Sequence, residues 1–415
     1  MASSDAHSNA YSVMPGASGA SIEAKSALGE RRLRRISAWL LLFFLIQGEL
    51  GAVWDREWHA YVGRDQFWTP PHTLIYSCVS GAGLLALAIV LIETFRYRRG
   101  AAGVDDTSTV SIFKVFHAPL GFSVLGFGAL LALIAAPLDN YWHELYGIDI
   151  ALWAPFHMMG VTGGLIGILG MIYVFASEAA IERQSSMHPR RYLGLTALEM
   201  GMILTMASLM NFMLTGFLQF PLVTIGTLHI STYPLPLAAC GAFCFISAIR
   251  STYRPGVATL LVLLLLLHTL LVELFVPWAI RVAVEQQGLA YRIPGKIPYF
   301  SLAYALLPLL FLISALVVDG IAYWKMRQEG KPISSIRSVA VIGAIITPPA
   351  VLIAPYILLS YTQYAPVFLP QPGLAVTPDV IALAALISVP SVLLMGIVGA
   401  MLGADFGDIW RWSKR

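Results

Sequence analysis

Ten mainly apolar stretches alternate with short polar segments along the chain, with limits near 36–53, 72–95, 114–136, 156–180, 192–216, 228–249, 256–279, 297–323, 337–361 and 380–403. Each is close to the roughly 20 residues that a helix needs to cross a bilayer. Lipid offers no partner to backbone N–H and C=O groups, so such spans fold as helices. The pattern therefore predicts an all-α polytopic membrane protein with about ten transmembrane helices. Residues 1–30 are rich in Ser, Ala and Gly without apolar periodicity, which predicts a disordered cytoplasmic tail. Arg31, Arg32, Arg34 and Arg35 precede the first span; no small-residue cleavage site follows, so this span reads as an uncleaved helix rather than a secretory signal. Pro348 and Pro349 predict a kink in the ninth helix.

Composition removes the soluble alternative: 58% of residues are hydrophobic and 12% charged, and the mean hydropathy is +0.74. An even number of spans puts both termini on one side. Of the 26 Lys and Arg residues, all but Arg56, Arg64, Arg281, Arg292 and Lys296 fall on the side of the termini. Cytoplasmic loops retain positive charge, so this asymmetry predicts both termini inside a bacterial inner membrane. The net charge of +3 gives no case for nucleic acid; lipid is the expected partner. Cys78, Cys240 and Cys244 lie in apolar stretches and imply no disulfide framework, and the i, i+4 pair Cys240 and Cys244 reads as packing rather than as a thiolate site.

The most informative segment is WDREWHAYVGRDQFWTPPH, residues 54–72, at the outer mouth of the first two spans. It carries Asp55, His59 four residues on, and His72. A second copy reads LDNYWHELYGIDIALWAPFH and carries Asp139, His143 and His157. Asp55 to Asp139 and His59 to His143 are offsets of 84, and His72 to His157 is 85. Trp58, Gly63, Asp65 and Pro70 match Trp142, Gly147, Asp149 and Pro155, which points to an internal duplication of a two-helix hairpin. Both units run inside to outside and back, so they are parallel repeats about an axis along the membrane normal.

Such triplets suit a metal ion. Residues at i and i+4 share a helical face, which aims Asp55 with His59, and Asp139 with His143, at one point. The last histidine of each triplet closes the site from the start of the next helix. Two imidazoles and one carboxylate leave coordination positions open, as in a reactive site, and this set accepts copper, Fe(II) or Zn(II). Pro70 and Pro71 suit a helix start just before His72. Arg64 and Asp65 are either an ion pair supporting the imidazoles or a solvated loop pair. Trp54, Trp58, Trp68, Trp142 and Trp153 are the residues of an aromatic belt at headgroup level, or else an apolar wall for a substrate.

The first segment resembles the metal-binding stretch of a membrane subunit of the copper membrane monooxygenases, the family of particulate methane and ammonia monooxygenases. The likeness rests on Asp55, Trp58, His59, Arg64, Asp65, Thr69, Pro70 and His72, and it extends over roughly residues 40–180. It implies that Asp55, His59 and His72 are the ligands of one copper site. A second site of the family is matched by Asp139, His143 and His157, with Ala154-Pro155-Phe156-His157 in place, although Asp139 stands where the family has Asn. The resemblance further implies dioxygen-dependent oxidation of a small apolar or ammonia-like substrate, other monooxygenase subunits as partners and a trimeric assembly. This chain is longer than the subunit it resembles.

Elsewhere the polar residues in apolar surroundings are Gln47 and Glu49 below the first triplet, then Glu199, Asn211, His229, His268, Glu273 and Asp319. Each either lines a path or makes an interhelical hydrogen bond. Glu93 and Glu178 occupy matching inner positions of the two repeats and read as packing residues. The chain thus divides into the tail 1–30, duplicated metal-binding hairpins over 31–190, and further helices of unknown role over 191–415. Two functions stay open: a copper-dependent monooxygenase or its subunit, with Asp55, His59 and His72 as the reactive site; and a non-catalytic protein that binds, stores or transfers copper at the periplasmic face.

Overall fold

A computed structural model describes residues 17–63, 66–146, 154–184, 189–217, 222–226, 228–232, 234–331, 333, 335–351 and 378–411. The chain is an all-α polytopic membrane protein. Its helices are α1 (Ala17–Tyr61), α2 (Pro70–Arg98), α3 (Leu120–Tyr146), α4 (Pro155–Gln184), α5 (Ala197–Phe217), α6 (Pro234–Thr252), α7 (Val257–Gln287), the single turn α8 (Leu302–Ala305), α9 (Leu312–Glu329), α10 (Ile336–Ile345), α11 (Pro378–Ile387) and α12 (Val389–Arg411). Nine helical segments among the described residues are long and apolar enough to cross a membrane, and Arg337–Val351 is a shorter apolar helix.

Nine of the ten expected spans fall on these long helices and the described part of the 337–361 span falls on the shorter one, and the differences have local causes. Helix α1 starts at Ala17, inside the expected unstructured tail. From there the chain reads ASGASIEAKSALGERRLRR, rich in the strong helix formers Ala, Leu, Glu, Lys and Arg, so the helix of the first span continues backwards without a break. Helix α3 starts at Leu120 rather than near 114, because Phe116–Pro119 pairs antiparallel with Thr109–Ile112 in a small hairpin, β1–β2. A second hairpin, β3–β4 (Leu222–Ile225 and Leu228–Ser231), likewise delays α6. The span expected over 297–323 is interrupted by a 3-10 turn at Leu307–Phe311 that contains Pro308. Helix α10 ends at Ile345, and helical geometry resumes from Thr347 through Pro348 and Pro349 to Val351, so the expected break is present; residues 352–361 of that span lie outside the described residues.

Three close helix pairings build the bundle. A Cβ added at Gly128 would meet the Gly163 carbonyl and the Gly167 amide at 2.6 Å, and one at Gly163 would meet Gly128 O at 2.6 Å, so α3 and α4 touch backbone to backbone. The spacing Gly399, Gly403, Gly407 does the same for α12 against Ala239, Phe243 and Ser247 of α6. Helices α1 and α2 pack less tightly, with Gly48 against Cys78, Gly51 against Ile75 and Gly81 against Phe44. The main core runs through α1 to α7, α9, α10 and α12, and a second cluster of Trp58, Tyr61, Val62, Val272, Val276, Ile280 and Tyr304 joins the end of α1 to α7.

At the end where α1 begins and α2 and α4 finish, Arg34 is buried at 1% exposure. It pairs with Glu93 at 2.7 Å, Asp106 at 2.6 Å and Glu178 at 3.9 Å, while Arg35 holds Glu178 at 3.5 Å and Glu182 at 3.2 Å. The matching glutamates of the two repeats therefore converge on one guanidinium, which satisfies buried carboxylates that would be costly alone. Burial raises the Asp106 carboxyl, but the charge of Arg34 and the hydrogen bonds from Ser108 outweigh it and hold it below the usual carboxylate range. Several other polar residues resolve into structural roles. Glu199 forms a capping box with Thr196 at the start of α5 and pairs with Arg183. Asp319 of α9 accepts from the Ala258 and Thr259 amides, capping α7 from outside. Gln47 donates to Ser77 at 2.7 Å and Glu273 accepts from the Ser301 amide at 3.3 Å. The side chain of His229 lies outside the described residues.

Candidate metal centre

The first triplet is assembled at the opposite end of the same helices. Asp55 and His59 sit one turn apart in the last turns of α1, which ends at Gly63 in the left-handed conformation, φ 71°. His72 is the third residue of α2. Pro70 and Pro71 begin that helix, and Thr69 caps it by accepting from the His72 amide at 3.4 Å. The arrival of His72 beside α1 is thus prescribed by a proline start and a threonine cap.

One ligand atom from each of Asp55, His59 and His72 lies within 4.8 Å of the others, and among the described residues no other group of three His, Cys, Asp or Glu does so. His59 Nε2 is 3.6 Å from Asp55 Oδ2, and His72 Nε2 is 3.1 Å from Asp55 Oδ1. Ligands about 2.0–2.2 Å from a tetrahedral ion stand roughly 3.4 Å apart, so these separations suit one cation. A further observation points the same way. His72 Nδ1 lies 2.9 Å from the Gln66 carbonyl, which can only accept, so Nδ1 carries the hydrogen. That leaves Nε2 as the lone-pair atom of the neutral ring, the orientation that a backbone carbonyl imposes on metal-ligating histidines. It then faces a carboxylate oxygen that is buried and has no hydrogen bond of normal geometry. Two acceptors at this distance repel unless a proton or a metal ion lies between them.

The surroundings are firm. Trp58 is buried at 1% exposure against α7, and Trp54 packs edge-on to Phe275 at 5.6 Å. Trp58 is thus a core residue, Trp54 is partly buried against the same cluster, and Trp68 is 72% exposed. The Tyr76 ring lies 5.6 Å from that of His72. The Arg292 amide donates to the Tyr61 carbonyl at 2.8 Å, tying the α7–α8 loop to the end of α1. Arg64 and Asp65, with Gly147, Asp149 and Trp153 of the second copy, lie outside the described residues.

The second triplet is looser. Asp139 Oδ2 is 3.5 Å from His143 Nε2 and 3.8 Å from His157, which presents Nδ1 rather than Nε2. The side chains of Asp139 and His157 are 22% and 35% exposed, against 11% and 17% for Asp55 and His72. The three residues are brought near one another without the compact cluster of the first site. Glu49, six residues before Asp55, does not join the triplet; it pairs with His268 of α7 at 3.2 Å. No sequence signal could have assigned that partner, because it comes from a helix more than two hundred residues away.

The fold and this centre define a polytopic membrane protein with a candidate site of two histidines and one carboxylate. Comparison with protein-family models, curated proteins and solved structures found no match.

Proposed function

We propose that the chain is a copper-binding protein of a bacterial inner membrane, acting as the metal-binding subunit of a monooxygenase of the kind its sequence resembles. The supporting observation is the convergence of Asp55, His59 and His72 on one point, with His72 Nε2 turned inward by the Gln66 carbonyl. In this reading Asp55, His59 and His72 would hold the ion, Asp55 supplying charge and the two imidazoles the neutral donors. Bound copper would supply the one-electron chemistry that activates dioxygen toward a small apolar or ammonia-like substrate. The protein's own part is to hold the three ligands, to keep Asp55 away from bulk water and to set the Tyr76 ring beside His72. The basic end of the bundle, with Arg31, Arg34, Arg35, Arg96 and Arg98, lies at the far end of α1 and α2 from the triplet, which supports cytoplasmic termini and a centre at the periplasmic rim. Asp139, His143 and His157 form a second, weaker copper position.

The test is metal content. Purified wild-type chain should retain about two copper ions, and the double variant His59→Ala, His72→Ala should retain one fewer. Unchanged copper in that variant rejects the first site. A second reading, non-catalytic copper storage or transfer, draws on the partial exposure of the ligands, 23% for the His59 side chain, since an open mouth serves release too. Copper that leaves rapidly to a competing chelator, in a protein that consumes no dioxygen with reductant and substrate present, favours that second reading.

A further inference from the structure

Near the middle of α1, Glu49 faces α7, and its Oε2 lies 3.2 Å from His268 Nε2. The two side chains are only 10% and 14% exposed, and Glu49 Oε1 and both ring nitrogens of His268 are buried without a hydrogen bond of normal geometry, so the 3.2 Å approach brings together two polar groups that nothing else satisfies. Ser208 of α5 and Cys78 of α2 complete the polar and titratable surroundings of Glu49. A carboxylate and an imidazolium at such a depth are costly as separate charges, and a neutral acid beside a neutral base costs less; the pair can hold one proton in either of two places. Moving it breaks the Glu49 Oε2–H bond and forms His268 Nε2–H, leaving carboxylate and imidazolium, and the reverse step restores both neutral groups.

The same interface offers a next station toward the triplet. Five residues along α7, about 7.5 Å of axial rise, Glu273 is buried at 8% exposure and accepts from the Ser301 amide. Across from it is Arg56, the neighbour of Asp55. Glu49 itself stands about 9 Å of rise below Asp55 on α1. An ionisable group buried inside a membrane is a candidate functional group, and here three of them are stacked along one helix pair, rising toward the candidate metal centre.

We propose that Glu49 and His268 form an intramembrane protonation site that exchanges its proton with the outer face by way of Glu273. Its use as the proton reservoir of the outer centre rests on the function proposed above; the exchange itself does not. The test is infrared spectroscopy of the full-length protein in lipid nanodiscs, titrated with acid and base and transferred to D2O. Wild type should show a protonated carboxylic C=O band that titrates and shifts in D2O. Glu49→Gln should remove that band while copper content stays at the wild-type value, His268→Gln should move its titration midpoint by about one pH unit or more, and Glu273→Gln should slow its deuterium exchange at least several-fold.

A wild-type protein without a titrating buried carboxylic band overturns the proposal, and this holds even if a variant does not fold. So does a band that survives Glu49→Gln, a midpoint indifferent to His268→Gln, an exchange rate indifferent to Glu273→Gln, or loss of copper in Glu49→Gln, which would make Glu49 a ligand. A protein that binds no copper yet shows the band and its three responses would refute the function proposed above and leave the protonation site standing.

Discussion

The two hairpins carry the same ligand residues at nearly the same spacing, yet only the first gathers them into a compact centre. The difference lies in what surrounds each triplet. In the first, Trp58 is sealed against α7, and Thr69 caps the helix that delivers His72. In the second, Trp142 touches only Tyr146 and Phe156 among the aromatic rings of the described residues, Tyr141 and Tyr146 are more than half exposed, and Ala154 stands where Thr69 would, with no side-chain oxygen to offer. Duplicated ligands alone do not make duplicated sites; the supporting residues decide how well the ligands are held.

The largest effect should be common to both hairpins: Arg34→Met strands the buried Glu93 carboxylate, leaves Glu178 to Arg35 alone and should lower unfolding stability in detergent by about 3–5 kcal/mol. A change below about 1 kcal/mol would mean that the inner cluster does not hold α2 and α4 to α1. Next, Trp58→Ala should cost about 3–4 kcal/mol and reduce copper occupancy of the first site, whereas Trp142→Ala, with its ring partly in solvent, should cost about 1–2 kcal/mol. Equal costs would contradict the asymmetry of support. The cap gives a smaller contrast: Thr69→Ala should lose about 1 kcal/mol and Ala154→Thr should gain somewhat less, raising copper retention at the second triplet. If Ala154→Thr leaves that retention unchanged, the missing cap is not what loosens His157.

The smallest effect concerns pH. The Asp106 carboxyl is lower in the folded protein than in an unfolded chain, so its contribution to stability is present above the ordinary carboxylate value near 4 and is lost as pH falls through its folded value. Acid titration of wild type against Asp106→Asn should show this loss only in wild type.

Hydropathy made the ten spans legible because in lipid the helix is the only way to satisfy an isolated stretch of backbone. It could not register the β1–β2 hairpin, whose four-residue strands carry too few residues for a period, nor the 3-10 turn at Pro308 inside an otherwise apolar run. The triplets were legible because the same residues recur at nearly the same spacing. Matching positions also singled out Glu93 and Glu178, but not Arg34 between them. Pairings such as Glu49 with His268, or Asp319 with the start of α7, join residues far apart in the chain and become visible only once the helices are packed. Glu199 was an exception: its capping box with Thr196 is a local pattern, readable from Thr-x-x-Glu.

The glycine contact between α3 and α4 has a bearing on access. With Gly128 and Gly163 touching through their main chains, and Gly121 and Gly170 repeating the contact further along, that seam has no width for a water, a gas molecule or a lipid tail. No passage therefore runs between α3 and α4, and a bulkier residue at Gly128 or Gly163 would meet main-chain atoms at about 2.6 Å and force the two helices apart.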